Sequence, residues 1–356
     1  MNREAFDIQP IGRFYASSAA IRRPREIICF SYDDQHIFHL GDSSLRYYYP
    51  PQLPADLNRG FDTFQKLEDT ADEHLDALLE TIAALEKETG KQCEADIITW
   101  RGMMTKILTA PFDDMNGFEM NATCFQGTIF IEENNSYKNE QKRKQQQQRM
   151  PPGMPSQDLM AYWGYKFETI SVLDKTWDAA TREEIEGRED LVVNNNAQYC
   201  SVARTGIGHT KLILGGEVDA STLSPVILPN LRKCASNRKL AVWDSKPDRK
   251  EDPINWVELK TSAEIRNDKG MLKFERKLLK FWAQSFLLGV PRIVVGFRDQ
   301  DGIVRRLEEF ETANIPSMVR KSGRGTWDGN ICINFAATFL DCMLHRLHMI
   351  CLLSAH

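Results

Sequence analysis

Residues Leu212–Thr222 run LILGGEVDAST. An apolar run enters a pair of glycines, Gly215 and Gly216, and leaves through Glu217 and Asp219. Length and composition are those of a buried strand, yet carboxylates stand where apolar side chains should continue. A second stretch of the same kind, NWVELKTSAE (Asn255–Glu264), sets Glu258 and Lys260 among Trp256, Val257 and Leu259. Side chains at i and i+2 of a strand share a face, so Glu217 groups with Asp219 and Glu258 with Lys260. A wet face of an antiparallel sheet would account for one such pair. A third segment, GYKFETISV (Gly164–Val172), is expected as a strand and adds Glu168. If the three are neighbours, their carboxylates converge. Two carboxylates about 4 Å apart repel by roughly 4 kcal/mol at an effective dielectric near 20, and a divalent cation turns that repulsion into coordination. Oxygen ligands without histidine suit Mg²⁺ or Mn²⁺ better than zinc.

The lysine narrows the chemistry. An E-x-K strand beside an E-x-D strand resembles the [DE]-x-K sites of restriction-type nucleases, where acidic residues hold metal and the lysine orients water and offsets phosphate charge. Gly215 and Gly216 would let the strand or its ligand approach closely. In the helix expected over KFERKLLKFWAQSFLLG (Lys273–Gly289), Lys277, Lys280 and Gln284 project together while Phe274, Leu278 and Phe281 face inward. Such a face is either solvated or a cradle for phosphate oxygens. Arg101, between Trp100 and Gly102, is either a structural ion-pair partner or a bidentate phosphate clamp.

A length of 356 residues permits one large domain or two smaller ones. The net charge of −5 excludes a generic polyanion binder while permitting a local basic groove. None of the cysteines (Cys29, Cys93, Cys124, Cys200, Cys234, Cys332, Cys342, Cys351) forms a C-x-x-C pair, which points to free thiols in a reducing compartment. The opening MNREAFDIQP lacks a signal-peptide apolar stretch, and no run approaches the ~18 apolar residues of a membrane span. The expectation is a soluble intracellular protein, nuclear or cytosolic, with no membrane partner.

Short strands are expected up to about Pro54, a helix over Leu67–Glu86, and a second helix over Ala95–Leu108. Two strands flank Gly127, and a hairpin turns at Asp301-Gly302 within Arg292–Phe310. SQDLMAYW (Ser156–Trp163) and Asn330–Leu353 are expected as helices. The Gln- and Lys/Arg-rich stretch 134–155 is expected as a long mobile polar loop, its QKRK either solvated or a localisation or RNA-contact patch. A charged insertion, SNRKLAVWDSKPDRKEDP (Ser236–Pro253), separates the two acidic strands.

In order, WRG (Trp100–Gly102), GYKFE (Gly164–Glu168), EVD (Glu217–Asp219), ELK (Glu258–Lys260) and KLLKFWAQSFLLGVP (Lys277–Pro291) resemble the motifs of the DXO family of RNA 5'-end decapping enzymes and pyrophosphohydrolases. The fungal members of that family associate with the nuclear 5'-3' exoribonuclease. The resemblance covers nearly the whole chain and implies one domain over 1–356 of the α+β class: two mixed β-sheets flanked by helices, with the active-site cleft between the sheets. It implies metal ligation by Glu168, Asp219, Glu258 and the carbonyl of Leu259, with Glu217 at the metal or through its water. Glu217, Asp219, Glu258 and Lys260 form the implied catalytic set. Glu73, Trp100, Arg101, Gly102, Cys200, Glu217, Lys260 and Gln284 are the implied substrate contacts, and His36 stands where some relatives have an arginine.

The implied substrate is single-stranded RNA with a 5' triphosphate, an incomplete cap or an NAD cap, and the implied cofactor is Mg²⁺ or Mn²⁺. A distributive 5'-3' exoribonuclease, or chiefly a stabilising partner of the nuclear exoribonuclease, remain the alternatives. The implied location is the nucleus, with the cytoplasm open as well.

Overall fold

The EVD triplet is where the chain changes sheets. The computed structural model describes residues 6–68, 71–114, 116–147, 153–222 and 255–354. Along them run strands β1 (Ile21–Tyr32), β2 (Phe38–Leu40), β3 (Tyr47–Tyr48) and β4 (Ala55–Asp56), helix α1 (Asp76–Thr89), β5 (Ile97–Trp100) and α2 (Arg101–Thr109). Next come β6 (Met120–Phe125), β7 (Thr128–Glu133), α3 (Asn135–Gln147), α4 (Gln157–Ile170), β8 (Val172–Leu173) and α5 (Arg182–Glu186). The remainder comprises β9 (Gln198–Ile207), β10 (Thr210–Glu217), β11 (Ala220–Ser221), β12 (Trp256–Ala263), α6 (Asp268–Leu288), β13 (Arg292–Arg298), β14 (Ile303–Glu311), α7 (Ile315–Lys321) and α8 (Gly329–Ser354).

Two mixed sheets result, in the orders β2-β1-β9-β10-β5-β7-β6 and β4-β14-β13-β12-β11-β3-β8. LILGGEVDAST is therefore not one strand: β10 belongs to the first sheet and β11 to the second, with Val218 and Asp219 crossing between them. Parallel pairings of β5 with β10 and β7, and of β12 with β13, put the C-terminal ends of β5 and β10 side by side, Trp100 opposite Gly215. Helix α6 lies between the sheets. Its Phe274, Leu278, Trp282 and Leu287 share a core with Leu212 and Leu214 of β10, Ile293 and Val295 of β13, and α2 and α8. Helix α1 covers the far side of the first sheet through Leu78 and Ile82. Helix α4 covers the far side of the second through Tyr162, Trp163 and Phe167. No helix among the described residues is long and apolar enough to cross a membrane, and the described cysteines are free thiols.

Four local expectations are corrected. Ala95–Leu108 is not one helix: Ile97–Trp100 form β5, with Ile97, Ile98 and Thr99 pinned on both sides by parallel neighbours, and the helix begins at Arg101. GYKFE is helical, not extended. Ser156 caps α4 by accepting from the Leu159 N–H (3.1 Å), and Tyr162, Trp163, Lys166, Phe167 and Ile170 are buried at helical spacing. Helix α1 starts at Asp76, later than the expected Leu67. Within 134–155, Asn135–Gln147 is a helix rather than a loop, opened by the Asn134 carboxamide accepting from the Tyr137 N–H and supported by the Glu140–Lys144 pair at 2.7 Å. The charged insertion between the acidic strands lies outside the described residues.

One buried cation fastens α4 to the loops around it. The Arg188 guanidinium donates to the carbonyls of Tyr49 (2.7 Å), Ile170 (2.6 Å), Pro50 (3.1 Å) and Ile185 (2.9 Å). Desolvation lowers it to about 10, which leaves it charged at neutral pH. Ile170 ends the helix that carries Glu168, so this residue holds up one wall of the site. Replacing it strands several carbonyls at once. Arg188→Ala should lower stability by about 3 kcal/mol or more in urea denaturation. Arg188→Lys, with three donors on a mobile stem, should recover only part of that loss.

Candidate active site

Glu258 and Lys260 alternate with Leu259 on β12. Leu259 packs under α4, so its two charged neighbours face the junction of the sheets. The Glu258 carboxylate is only 1% exposed. Its Oε2 accepts from Arg101 Nη1 at 3.2 Å, and Lys260 Nζ stands 2.7 Å from its Oε1. The lysine approach has ion-pair length but misses hydrogen-bond direction, which leaves Oε1 buried without a hydrogen bond. Lys260 Nζ is also 3.5 Å from Asp219 Oδ2. The Leu259 N–H donates to that same oxygen at 2.6 Å. N–H and C=O of one strand residue point to the same side, so the Leu259 carbonyl also faces the side on which Asp219 lies.

Electrostatics separates these carboxyls. Burial would raise Glu258, but Lys260 and Arg101 outweigh it and hold the group below the usual carboxylate range. Asp219 is pushed up to about 6, by burial first and with Glu258 adding, against the pull of Lys260. Glu168 goes well above the usual range through burial and then Asp219. Glu217 also rises, through restricted solvation and then Asp219. Its side chain is nevertheless exposed to the cleft, where water screens it and moderates the rise. Burial opposes the charge on Lys260 and on Arg101, yet the surrounding carboxylates prevail and keep both protonated.

The structure brings the expected residues together unevenly. Arg101 is the ion-pair partner of Glu258. Gly102 is the second residue of α2, whose first turn has no side-chain cap at Trp100, so free N–H groups stand beside the acidic cluster. Trp100 donates its Nε1–H to the His74 carbonyl (3.0 Å), and its ring lies over Gly215, on the face of β10 that also carries Glu217. The glycine pair is explained by these neighbours. A Cβ at Gly215 would meet the Trp100 ring at 2.9 Å, and one at Gly216 would meet Leu288 at 2.8 Å and Arg101 at 3.0 Å. Gln284 is one turn before Leu288 and shares its face toward Gly216. Cys200 pairs with Glu217 across β9 and β10, and burial drives its thiol well above the usual range, against the thiolate form. Lys280 is already bound to Asp113 at 2.8 Å, so the expected Lys277–Lys280–Gln284 face is not uniformly free. Glu73 accepts from His36 Nε2 at 3.1 Å, and His36 stacks on Tyr32 with ring centroids 3.9 Å apart. That triad and the Asp113 contact had no signature in local sequence, because each joins segments far apart in the chain.

A family model described as RAI1 like PD-(D/E)XK nuclease matches residues 22–350. The chain belongs to the RAI1-like PD-(D/E)XK nuclease family. Decapping nuclease RAI1 of Emericella nidulans is 80% identical over 96% of this chain and 87% of its own length. That of Aspergillus fumigatus is 74% identical over the same shares. The crystal structure of Candida albicans Rai1 in complex with pU5-Mn²⁺ has a TM-score of 0.81 at 32% identity, covering 93% of this chain and 85% of that one. Scheffersomyces stipitis Rai1 in complex with (3'-NADP)⁺ and calcium ion reaches 0.81 at 28% identity, covering 96% and 86%. Membership in the RAI1-like family agrees with the two mixed sheets flanked by helices and with the E-x-D and E-x-K pairs at their junction.

The donor set fits a hard divalent cation. Glu168, Asp219, Glu258, the Leu259 carbonyl and Glu217 offer only oxygen, and the buried Glu258 Oε1 lacks a hydrogen bond. Among the described residues no three His, Cys, Asp or Glu side chains already close into a cage. Lys260 instead bridges Glu258 and Asp219, and a cation would compete with it for those oxygens. Without metal the raised carboxyls have a defined linkage. Asp219 holds its proton more tightly folded than unfolded, so its own contribution to stability is full below about pH 4 and is lost as pH rises through about 6. In chelator, Asp219→Asn keeps an acceptor for the Leu259 N–H and removes the charge. It should be about 2 kcal/mol more stable than the parent at pH 8, the gap closing near pH 4, in urea denaturation across that range.

Proposed function

We propose that this chain is a divalent-metal-dependent hydrolase of RNA 5' ends, which removes pyrophosphate from 5'-triphosphate RNA and takes off incomplete or NAD caps. The observation that carries this reading is the buried Glu258 between two protonated cations, Lys260 and Arg101, beside the uncapped start of α2. It is supported by relatives named decapping nuclease, and by Rai1 structures holding pU5 with Mn²⁺ and (3'-NADP)⁺ with calcium. Glu168, Asp219, Glu258 and the Leu259 carbonyl would hold Mg²⁺ or Mn²⁺, with Glu217 alongside. When bound, the ion supplies Lewis acidity to the phosphate and a more acidic water.

The protein's own groups do the rest. Lys260, kept protonated by its carboxylates, orients the attacking water and offsets charge on the phosphate. Arg101, Gln284 and the first N–H groups of α2 receive the non-bridging oxygens. Glu73 and Cys200 border the substrate farther along the first sheet. The wall of α4 and Leu259 behind the charges limits water and so strengthens each interaction. The pU5 complex of the Candida albicans protein favours distributive 5'-3' exonuclease action as the second reading. We also infer a nuclear location, with the cytoplasm open, and a stabilising contact with the nuclear 5'-3' exoribonuclease. Asp219→Ala should leave that contact intact in a pull-down, because it removes only a charge inside the cleft.

The activity is tested with Mg²⁺ or Mn²⁺ on 5'-labelled RNA offered as triphosphate, unmethylated cap, NAD cap and monophosphate. Release of pyrophosphate or cap product with monophosphate RNA left whole is the expected result; steady shortening of the monophosphate would transfer the assignment to exonuclease. Asp219→Ala should abolish turnover at saturating Mn²⁺, and retained activity would sink the ligand assignment. Lys260→Ala should lower kcat by about 10²–10³ with a smaller change in RNA affinity. A loss confined to affinity would make Lys260 a phosphate anchor only.

A further inference from the structure

We propose that a cationic grid at the far end of β1, β9 and β10 is a second RNA-binding surface, which holds the body of the chain whose 5' end occupies the acidic cluster. Strand register defines the grid. Arg22 of β1 is opposite Gly206 of β9, which is opposite Lys211 of β10. One step along, Arg25 is opposite Arg204, which is opposite Ile213. Residues directly opposite one another share a face, and so do i and i+2. Arg22, Arg25, Arg204 and Lys211 therefore crowd one face. Gly206 permits this, since a Cβ there would meet Arg22 Cδ at 3.0 Å, so the arginine stem lies across the strand toward Lys211.

Like charges set directly opposite in a sheet are unfavourable, as at Arg25 and Arg204. Among the described residues neither Arg22 nor Arg204 has a carboxylate within ion-pair distance, and Lys211 reaches only the exposed Glu94 at 3.6 Å. Arg204 instead interacts with the Cys93 thiol. Arg22, Arg25 and Arg204 are exposed. In a chain of net charge −5 this is local enrichment, not a reflection of the whole.

Position selects the occupant. The same strand β9 carries Cys200, opposite Glu217, and Arg204 lies four residues further on, a rise of about 13 Å. A polyanion anchored at the cluster by its 5' end thus finds positive charge a few nucleotides away, on strands that also build the site. This inference rests on RNA as substrate, but its test needs no turnover.

Binding of 5'-hydroxyl RNA of about 20 nucleotides is followed by anisotropy against salt. Arg22→Ala/Arg204→Ala should weaken binding about 10-fold near 0.1 M salt, and should reduce the slope of log K against log salt by about 1.4, or ~0.7 for each phosphate no longer neutralised. Arg22→Lys/Arg204→Lys should keep both affinity and slope near the parent. Hydrolysis of a 5'-triphosphate dinucleotide should be unchanged in the alanine variant, which verifies the fold and the site. Unchanged affinity and slope would overturn the proposal. So would equal losses in the lysine variant, or RNA binding unaffected while a polyglutamate peptide binds the parent and not the alanine variant. If no 5' end is hydrolysed by the parent, the function proposed above fails while the binding series still decides this one.

Discussion

Everything near the site depends on keeping Glu258 charged inside the protein. A carboxylate that deeply buried is tolerated only with partners, and here they are Lys260 from its own strand and Arg101 from the first turn of α2. Those partners impose the architecture. Arg101 can reach Glu258 only if β5 and β12, which belong to different sheets, are brought together at their ends. The crossing at Val218 and Asp219 does this, because one short segment leaves β10 in the first sheet and pairs as β11 beside β12 in the second.

The glycines before the crossing serve the same constraint. They leave no side chains between β10 and its neighbours, so that Trp100 and Leu288 close over the strand and the Arg101 stem passes along it. The long α6 between the sheets supplies Leu288 from behind, with Gln284 one turn earlier on the side of the acidic cluster. On the opposite flank, Arg188 fastens the end of α4 through backbone carbonyls alone and thereby fixes the helix that carries Glu168. Buried charge at the site is thus held by packing from three directions. That rigidity lets Asp219 and Glu258, so close to one lysine, be driven to opposite sides of the ordinary carboxylate range.

Local pattern gave away the chemistry more readily than the shape. Charged residues interrupting two apolar runs identified Glu217, Asp219, Glu258 and Lys260, because charge set among apolar neighbours needs partners to be tolerated. Glu168 reaches the group from a helix rather than from a third strand, its charge meeting that of Asp219. GYKFE alternates like a strand, yet the packing of Tyr162, Trp163 and Phe167 on the second sheet makes it a helix. Ala95–Leu108 shows the reverse: a stretch with helical composition yields its first part to β5, since pairing with both β10 and β7 outweighs intrinsic preference. The polar 134–155 stretch looked unable to fold because it lacks a core face, but a cap and an i, i+4 ion pair suffice for a helix over Asn135–Gln147.

By itself the sequence determined the inventory: which carboxylates, which lysine and which glycines interrupt the apolar runs, and hence a hard-cation site of the nuclease kind. Those conclusions follow from spacing of a few residues, where the backbone leaves little freedom. Only the tertiary structure decided that EVD joins two sheets, that Arg101 neutralises Glu258 while the Trp100 ring covers Gly215, and that Lys280 is already held by Asp113. Each of these is a meeting of segments tens to more than a hundred residues apart. Such meetings are selected by the burial of whole sheet and helix faces, a property that no short stretch of the chain contains.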